Sequence, residues 1–400
     1  MKRVLRIIFA ITVMGFVAWL IFSSNQGTDS PLPGAPTGGL PDVGTPFPSQ
    51  NGTGGEGGVP ALGQGGTFGL AASEPVLEYA VDAQGTLAII QPDGQVVRRG
   101  QSGEPAVLSS TPIADIIHAS FSPDGRKLAV SFGNRATPQA SIFDVSSKTW
   151  RPLPQGTDSP LAWAPDSSKL AVVARRADGR AELRTFTLAS AREAALIALH
   201  AQDLVPQWIG ATRIILSARP SAFAENWLLR FDTARGTLTR LGDNAPGMLS
   251  LWNEKGEKGL LFRAGVAQRG GSLALIDESG AVEEQLAFLT LPSKCAFHVK
   301  TLTPAPAGTS TSARVEIPVL HCAVPRNQAQ LSARRLPDDY FQRAFFTLDD
   351  IVEINLETGD RVTVLDGSRR ALDAVALTAK NNRLYFINRY DSRLYAVSLE

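Results

Sequence analysis

The sequence predicts an all-β fold, a β-propeller of seven blades that follows one transmembrane helix and a disordered linker. The first observation is a turn motif, Phe-Ser-Pro-Asp-Gly-Arg-Lys-Leu-Ala-Val at 121–130, that returns 42 residues later as Trp-Ala-Pro-Asp-Ser-Ser-Lys-Leu-Ala-Val at 163–172. The second is a set of landmarks that repeat with nearly the same period. A repeat of about 40–45 residues built from short strands is typical of propeller blades.

Two independent landmarks carry this period. With the four strands of a blade named A to D from the channel outward, A strands are predicted to end at Phe121, Trp163, Trp208, Trp252 and Phe297, spaced 42, 45, 44 and 45 residues apart. Turns between strands C and D are predicted near Asp144, Ala189, Asp232, Asp277, Asn355 and Ser398. The first set of strands is irregular, which leaves six or eight blades as alternatives.

The predicted strand sets end with an incomplete one. They cover residues 76–109, 116–153, 159–199, 205–241, 248–287, 295–365 and 372–399. The last set stops after strand C, and an unpaired outer edge would favour aggregation. We therefore expect residues 67–71 to supply the missing outer strand, which would couple ring closure to the preceding linker.

The N-terminal residues 1–26 read as a cytoplasmic tip and a membrane anchor. Lys2, Arg3 and Arg6 accompany an apolar run over residues 4–22 that would span about 28 Å as a helix, close to the bilayer core. No Lys or Arg then appears before Arg98, which predicts a single-pass protein of the cell membrane with its propeller outside the cytoplasm. A cleaved signal peptide is the alternative.

Composition restricts the remaining possibilities. Residues 27–69 are rich in Gly and Pro with almost no charge, so they cannot bury enough apolar surface to fold and predict a flexible linker. The propeller then covers residues 70–400. A net charge of +1 gives no electrostatic support for nucleic-acid binding. Two cysteines are too few for a disulfide scaffold.

A family resemblance rests on the Ser-Pro-Asp-Gly turn at 122–125 ahead of Lys-Leu-Ala-Val. This motif resembles the WD-type propeller repeats of TolB-like proteins, and the likeness covers about residues 76–400. It implies a bacterial, periplasmic propeller that binds a protein partner. The chain departs from the TolB pattern in its predicted anchor and in lacking a recognisable N-terminal α/β domain. The segments at 322–325 and 336–340 are similar to those of membrane-anchored bacterial propellers.

Cys295, His298, His321 and Cys322 form a candidate metal site with two Cys and two His. Strand geometry opposes it, because both histidines point away from the face that the two cysteines would share. Neighbouring strands A and B in an oxidising compartment suit a disulfide between Cys295 and Cys322. Free buried thiols and a metal site remain alternatives, although no metal or cofactor is predicted.

Motifs of catalysis are missing from the sequence. It contains no Gly-x-Ser-x-Gly elbow, Gly-rich phosphate loop or His-Glu-x-x-His. Trp163, Trp208 and Trp252 stand at ends of A strands, which favours packing between blades over a sugar-stacking platform. We therefore predict a protein-binding or scaffolding module of the cell envelope. The alternative is a lactonase, lyase or glycosidase type of enzyme in the propeller channel.

Charged residues define a predicted binding face, because the D–A and B–C connections of a propeller leave on the same side. The D–A connections carry acidic residues: Asp115, Asp158, Asp203, Asp243 and Asp373. The B–C connections carry arginines: Arg135, Arg176, Arg219, Arg269, Arg334, Arg335 and Arg389. This face would receive a protein or an anionic polymer. The structural alternative is that Asp caps its own turn and that exposed ion pairs are weak.

Two insertions interrupt the sixth set, at 301–313 and 326–346. Long insertions on a rigid repeat often carry function, with a tolerated surface loop as the alternative. The second insertion contributes further candidate binding residues: Arg334, Arg335, Asp338, Asp339, Tyr340 and Arg343. Tyr340 is predicted to be an aromatic anchor for a partner. Deleting 326–346 is predicted to spare folding and abolish partner capture.

Overall fold

The computed structural model describes residues 68–100, 104–154, 157, 160–176, 178–201, 203–302 and 315–399. These residues form seven antiparallel sheets of four strands each, which confirms the seven-bladed propeller. The predicted anchor, nearly all of the linker, most of the insertion at 301–313 and Asp158 lie outside the described residues. Within those ranges, no helix has the length and apolar character needed to cross a bilayer.

The first three blades follow one another along the chain after β1 (Phe68–Pro75). The first blade consists of β2 (Glu78–Val81), β3 (Leu87–Ile90), β4 (Val96–Arg99) and β5 (Ala106–Val107). The second consists of β6 (Ile116–Phe121), β7 (Lys127–Phe132), β8 (Gln139–Asp144) and β9 (Thr149–Pro152). The third consists of β10 (Ala162–Trp163), β11 (Lys169–Arg175), β12 (Ala181–Thr187) and β13 (Arg192–Leu199).

The next three blades keep the same order from the channel outward. The fourth consists of β14 (Leu204–Ile209), β15 (Arg213–Ala218), β16 (Glu225–Asp232) and β17 (Thr237–Pro246). The fifth consists of β18 (Leu249–Trp252), β19 (Lys258–Ala264), β20 (Gly271–Asp277) and β21 (Val282–Gln285). The sixth consists of β22 (Cys295–Leu302), β23 (Val315–Pro325), β24 (Asp349–Asn355) and β25 (Arg361–Leu365). Short 3₁₀ turns occur at Val266–Gln268 and Pro292–Lys294.

The seventh blade joins both ends of the propeller. Its strands are β26 (Ala374–Lys380), β27 (Arg383–Asn388) and β28 (Arg393–Ser398), with β1 as the outer strand. Phe68 of β1 pairs with Val397 of β28, and its ring stacks on Tyr395 at 5.6 Å. The prediction that an N-terminal strand closes the ring is therefore confirmed, and that strand runs on to Pro75.

The repeated turn owes its shape to local hydrogen bonds. Asp124 accepts from the hydroxyl of Ser122 at 2.5 Å and from the backbone N–H of Arg126 at 3.1 Å. These bonds hold the pKa of Asp124 below its ordinary value against the opposing effect of partial burial. Gly125 follows with φ of 69°, a conformation that glycine adopts without steric cost. The Pro-Asp-Gly sequence thus folds as the sequence predicts.

The core lies between blades, and each tryptophan landmark takes part in it. Trp163 is buried among residues of the second and third blades, and its ring N–H donates to the carbonyl of Ser120 at 3.0 Å. Trp252 packs between the fourth and fifth blades, and Trp208 between the third and fourth. The prediction that these rings serve inter-blade packing is confirmed.

Two faces follow from the antiparallel order of the strands. Successive connections alternate between the two ends of a sheet. The D–A and B–C connections therefore form one side of the ring, which we name the upper face, and the A–B and C–D turns form the lower face.

Candidate functional site

The B–C connection of the sixth blade, residues 326–346, folds into a compact segment that we name the strap. It contains two short helices, α1 (Gln328–Ser332) and α2 (Asp338–Phe341). Asn327 caps α1 by accepting from the backbone N–H of Gln330 at 3.0 Å. The two aspartates of α2 stand in its first turn, where carboxylates are favoured.

Apolar side chains fix the strap to the fifth and sixth blades. Leu331, Leu336, Tyr340 and Phe345 are buried in one cluster that also holds the buried cysteines and side chains of both blades. A strap with this core cannot be removed without exposing the surface beneath it. Contrary to the expectation from the sequence, we therefore expect deletion of 326–346 to impair folding, because the segment is part of the propeller core.

Polar contacts extend the strap over neighbouring blades. In the fourth blade, the Ser221 hydroxyl and the Ala222 backbone N–H donate to Asp338, at 3.0 and 2.6 Å. In the fifth, the Arg269 guanidinium donates to the backbone carbonyl of Ala333 at 2.7 Å. The backbone N–H of Gly270 donates to the backbone carbonyl of Arg334 at 2.8 Å. The strap thus bridges three consecutive blades on the upper face.

A buried ion network joins the strap to the seventh blade. The ammonium of Lys294 donates to Asp349 at 2.7 Å and to Asp373 at 2.5 Å, and all three side chains are nearly inaccessible to solvent. Arg389 donates to the other oxygen of Asp373 at 2.8 Å. The hydroxyl of Tyr340 donates to Asp373 at 2.6 Å. Two cations therefore balance two carboxylates in the interior.

Burial and pairing set the pKa values in this network. Burial alone would lower the pKa of Lys294, but Asp349 and Asp373 hold it above its ordinary value. Burial raises the pKa of Asp349, whose Oδ1 has no hydrogen-bond partner among the described residues. Burial would also raise the pKa of Asp373, but Lys294 first, then Tyr340 and Arg389, hold it lowered.

Three predicted binding residues are consequently unavailable to a partner. Tyr340 is 3% exposed, so the prediction that it is an aromatic anchor at the surface is corrected. Asp373 is fully buried, and the Arg389 guanidinium is enclosed between Asp373 and the ring of Tyr340, 3.9 Å from its centroid. Asp373 and Arg389 are withdrawn from the surface because the strap covers them, and Tyr340 because its side chain packs into the cluster beneath the strap.

The other predicted residues are distributed around the upper face. Several are exposed in the expected connections: Arg135, Arg176, Arg219, Arg269, Arg335, Arg343, Asp115 and Asp203. Arg334, Asp338 and Asp339 are half-buried in the strap. Asp243 is exposed but lies inside β17 and not in a D–A connection, because pairing of that strand resumes beyond an irregularity and continues to Pro246.

The charge of the residue directly before each inner strand could have indicated the buried ion network. Asp115, Asp203 and Asp373 each directly precede an inner strand. Lys294 holds the same position before β22, where it reverses the sign of the charge. The position is apolar in the other three blades, so one reversal among four charged residues would have indicated an ion pair between neighbouring blades.

The two cysteines form the expected disulfide. Cys295 of β22 and Cys322 of β23 are paired in register and bonded. Their side chains join the cluster shared with the fifth blade. His321 points to the opposite face of the sheet and lies 3.0 Å from Glu353. In the described part of the chain, no group of three His, Cys, Asp or Glu residues could hold a metal ion.

Carboxylates are scarce on the described inner strands, which also carry His118 and His298. Across the described inner strands, Glu78 of β2 is the one carboxylate. Burial raises the pKa of Glu78 to about 7, although the backbone N–H of Tyr79 donates to it and opposes the shift. A lone carboxylate lacks the paired acid and base that glycosidases use.

Two clefts of about 480 and 490 Å³ lie on the lower face. One is lined by Asp82 and Arg98 of the first blade, Asp124 of the second and Lys380 of the seventh, among others. The other is lined by turns of the second and third blades. Both therefore open on the side opposite the predicted binding face.

No protein-family model and no curated protein matches the chain. Solved structures do. TolB from Acinetobacter baumannii aligns with 80% of this chain and 62% of its own, at 13% identity and a TM-score of 0.41. A putative TolB from Agrobacterium tumefaciens aligns with 52% of this chain and 79% of its own, at 17% identity and a TM-score of 0.41.

A protease propeller is similar to the same extent. The β-propeller domain of the Trilobed protease from Pyrococcus furiosus aligns with 68% of this chain and 77% of its own, at 11% identity and a TM-score of 0.41. Similarity at this level concerns the fold alone. The chain is a seven-bladed β-propeller.

Proposed function

We propose that this protein is a membrane-anchored, extracytoplasmic propeller that binds a protein partner through its upper face around the strap. The observation that carries the proposal is the position of its exposed aromatic side chains. Among the described residues, the exposed aromatic residues are Phe223, Phe341 and Tyr390, at 55%, 47% and 42%. All three stand in B–C connections, those of the fourth, sixth and seventh blades.

Exposed aromatic side chains beside arginines are the residue types that dominate binding at protein interfaces. Here they rest on a preorganised support. Tyr390 stacks on Phe346 of the strap at 5.1 Å, and the guanidinium of Arg335 lies 5.7 Å from the ring centre of Phe223. A surface fixed before binding loses little conformational entropy on association.

The membrane part of the proposal rests on the basic and apolar N-terminus and on the linker composition. Fusing a topology reporter after Glu400 tests it. We expect activity only from a reporter that works outside the cytoplasm. Activity from a cytoplasmic reporter would refute this part.

Binding is tested with a photoreactive phenylalanine analogue placed at Phe341 in the full chain. Matched control positions are Val362 on an outer strand and Val299 at the lower end of β22, both exposed. We expect one specific protein adduct from position 341 and none from the controls. Equal adducts at all three positions, or none at 341, would remove the partner from this face.

A further inference from the structure

The surface around the strap carries positive charge that the protein itself leaves unpaired. Arg219, Arg269, Arg335 and Arg343 are exposed. None of them has a carboxylate ion-pair partner in the described part of the chain, whereas other upper-face arginines do. An acidic ligand would supply the carboxylate partners that these arginines lack.

The carboxylates of the strap accept hydrogen bonds from other groups of the protein. The strap has four arginines and two aspartates. Asp338 accepts from Ser221 and Ala222, and Asp339 accepts from the backbone N–H of Arg335 at 2.9 Å. Both aspartates are half-buried, and Glu225 is the exposed carboxylate nearest in sequence to Phe223. The outward charge of this region is therefore positive.

Exposed aromatic rings lie among these arginines, which have no carboxylate partner among the described residues. Phe223 and Arg219 share one connection, and Arg335 of the strap reaches over Phe223. Phe341 stands two residues before Arg343 at the end of α2. We name this set the docking patch: Arg219, Phe223, Arg269, Arg335, Phe341 and Arg343.

We propose that the docking patch binds an acidic protein segment that also carries aromatic or large apolar side chains. This inference rests on the proposed function and specifies the chemistry of the partner. Carboxylates would pair with the guanidinium groups in bidentate geometry. Apolar side chains would cover Phe223 and Phe341, whose exposed area a purely anionic chain would leave in water.

The test uses the purified full chain and labelled synthetic peptides of equal length. One peptide alternates Glu and Phe, a second replaces Glu with Gln, and a third replaces Phe with Ser. We expect binding of the first alone, measured by fluorescence anisotropy. It should weaken between about 0.1 and 1 M salt, because the Debye length falls from roughly 10 to 3 Å.

Charge-matched variants locate the site. The double variant Arg335→Gln with Arg343→Gln should weaken binding of the Glu–Phe peptide roughly tenfold or more, as for loss of interface hot spots. The control Arg192→Gln with Arg240→Gln removes the same charge from exposed positions on outer strands. Equal weakening by both pairs would overturn the proposal, because net charge alone would then explain binding.

Phe341→Ser tests the apolar requirement, with exposed Val362→Ser as its control. We expect roughly tenfold weaker peptide binding for Phe341→Ser alone, with an unchanged urea midpoint. Heparin or phosphatidylglycerol vesicles that bind as tightly, and independently of Phe341, would assign the patch to an anionic polymer or lipid and overturn the proposal. A cross-link at position 341 without preference for the Glu–Phe peptide would leave the proposed function intact and refute this inference.

Discussion

The junction before the fourth blade and the junction before the seventh have the same repeat position and opposite environments. Asp203 directly precedes β14, is exposed and has φ of 59°. Asp373 directly precedes β26, is fully buried and contacts Lys294 and Arg389. The strap covers the second junction, so an insertion in one blade changes what the repeat position does in the next.

This difference shows how a regular array can acquire one specialised sector. Regular junctions depend on apolar packing between sheets, as around Trp163. The covered junction adds balanced buried charges, and removing one of these partners strongly lowers stability because the remaining charge is left uncompensated. Sensitivity to mutation should therefore be concentrated where the sixth blade departs from the repeat.

The largest expected effect comes from removing the strap. Replacing residues 326–346 by a short Gly-Asn turn would eliminate four buried side chains, worth roughly 6–12 kcal/mol at about 1.5–3 kcal/mol each. That is comparable to the whole stability of a domain. We expect insoluble or unfolded protein by circular dichroism.

The control shortens the matching B–C connection of the second blade, residues 133–138, which contains no buried residue. This variant should remain soluble and cooperative in urea. A folded strap deletion with a midpoint near the parent would show that the strap is merely attached, and the contrast between the two junctions would disappear.

The next effect compares the two aspartates directly. Asp373→Asn leaves Lys294 and Arg389 with an uncompensated positive charge, so we expect a loss of roughly 3–5 kcal/mol. Asp203→Asn keeps a side chain that tolerates positive φ and should change stability by less than about 0.5 kcal/mol. Urea unfolding of both variants measures the difference, and equal losses would contradict it.

Much of the fold could be predicted from the sequence, because propeller blades repeat their turn chemistry. The Pro-Asp turns and tryptophans located seven blades, and the incomplete seventh set indicated closure by an N-terminal strand. The disulfide followed from the placement of the two cysteines on neighbouring strands A and B of one blade. These features depend on residues close together in the sequence or separated by a constant period.

The buried ion network could not be predicted from the sequence in this way. Lys294, Tyr340 and Asp373 lie 46 and 33 residues apart, and the strap that unites them has no counterpart in other blades. The sequence predicts an exposed Tyr340 because insertions are usually surface features. Its burial depends on tertiary packing in one cluster with Leu331 and Leu336, for which the local sequence carries no signal.

A smaller effect should appear in acid, at Glu353 of the sixth blade. The hydrogen bond with His321, with help from Lys300, lowers the pKa of Glu353 to about 2 from 4.5, despite partial burial. Its contribution is complete above about pH 4.5 and is lost as pH falls through 2, by roughly 1–2 kcal/mol because solvent screens this partly exposed carboxylate. Glu353→Gln should remove that part of the decline while being less stable than the parent at pH 7. Parallel pH profiles of unfolding free energy would refute this assignment.

The smallest effect is expected at a regular turn of the third blade. Asp166 accepts from the backbone N–H of Ser168 at 3.0 Å and from its hydroxyl at 2.7 Å, and these bonds lower its pKa. Asp166→Ala removes a solvent-exposed acceptor whose donors can turn to water, so we expect a loss of about 1 kcal/mol. Asp166→Asn keeps an acceptor oxygen and should lose less. If Asp166→Ala instead cost as much as Asp373→Asn, the regular turns would carry stability comparable to the covered junction, because the same carboxylate chemistry would then act equally in water and in the interior.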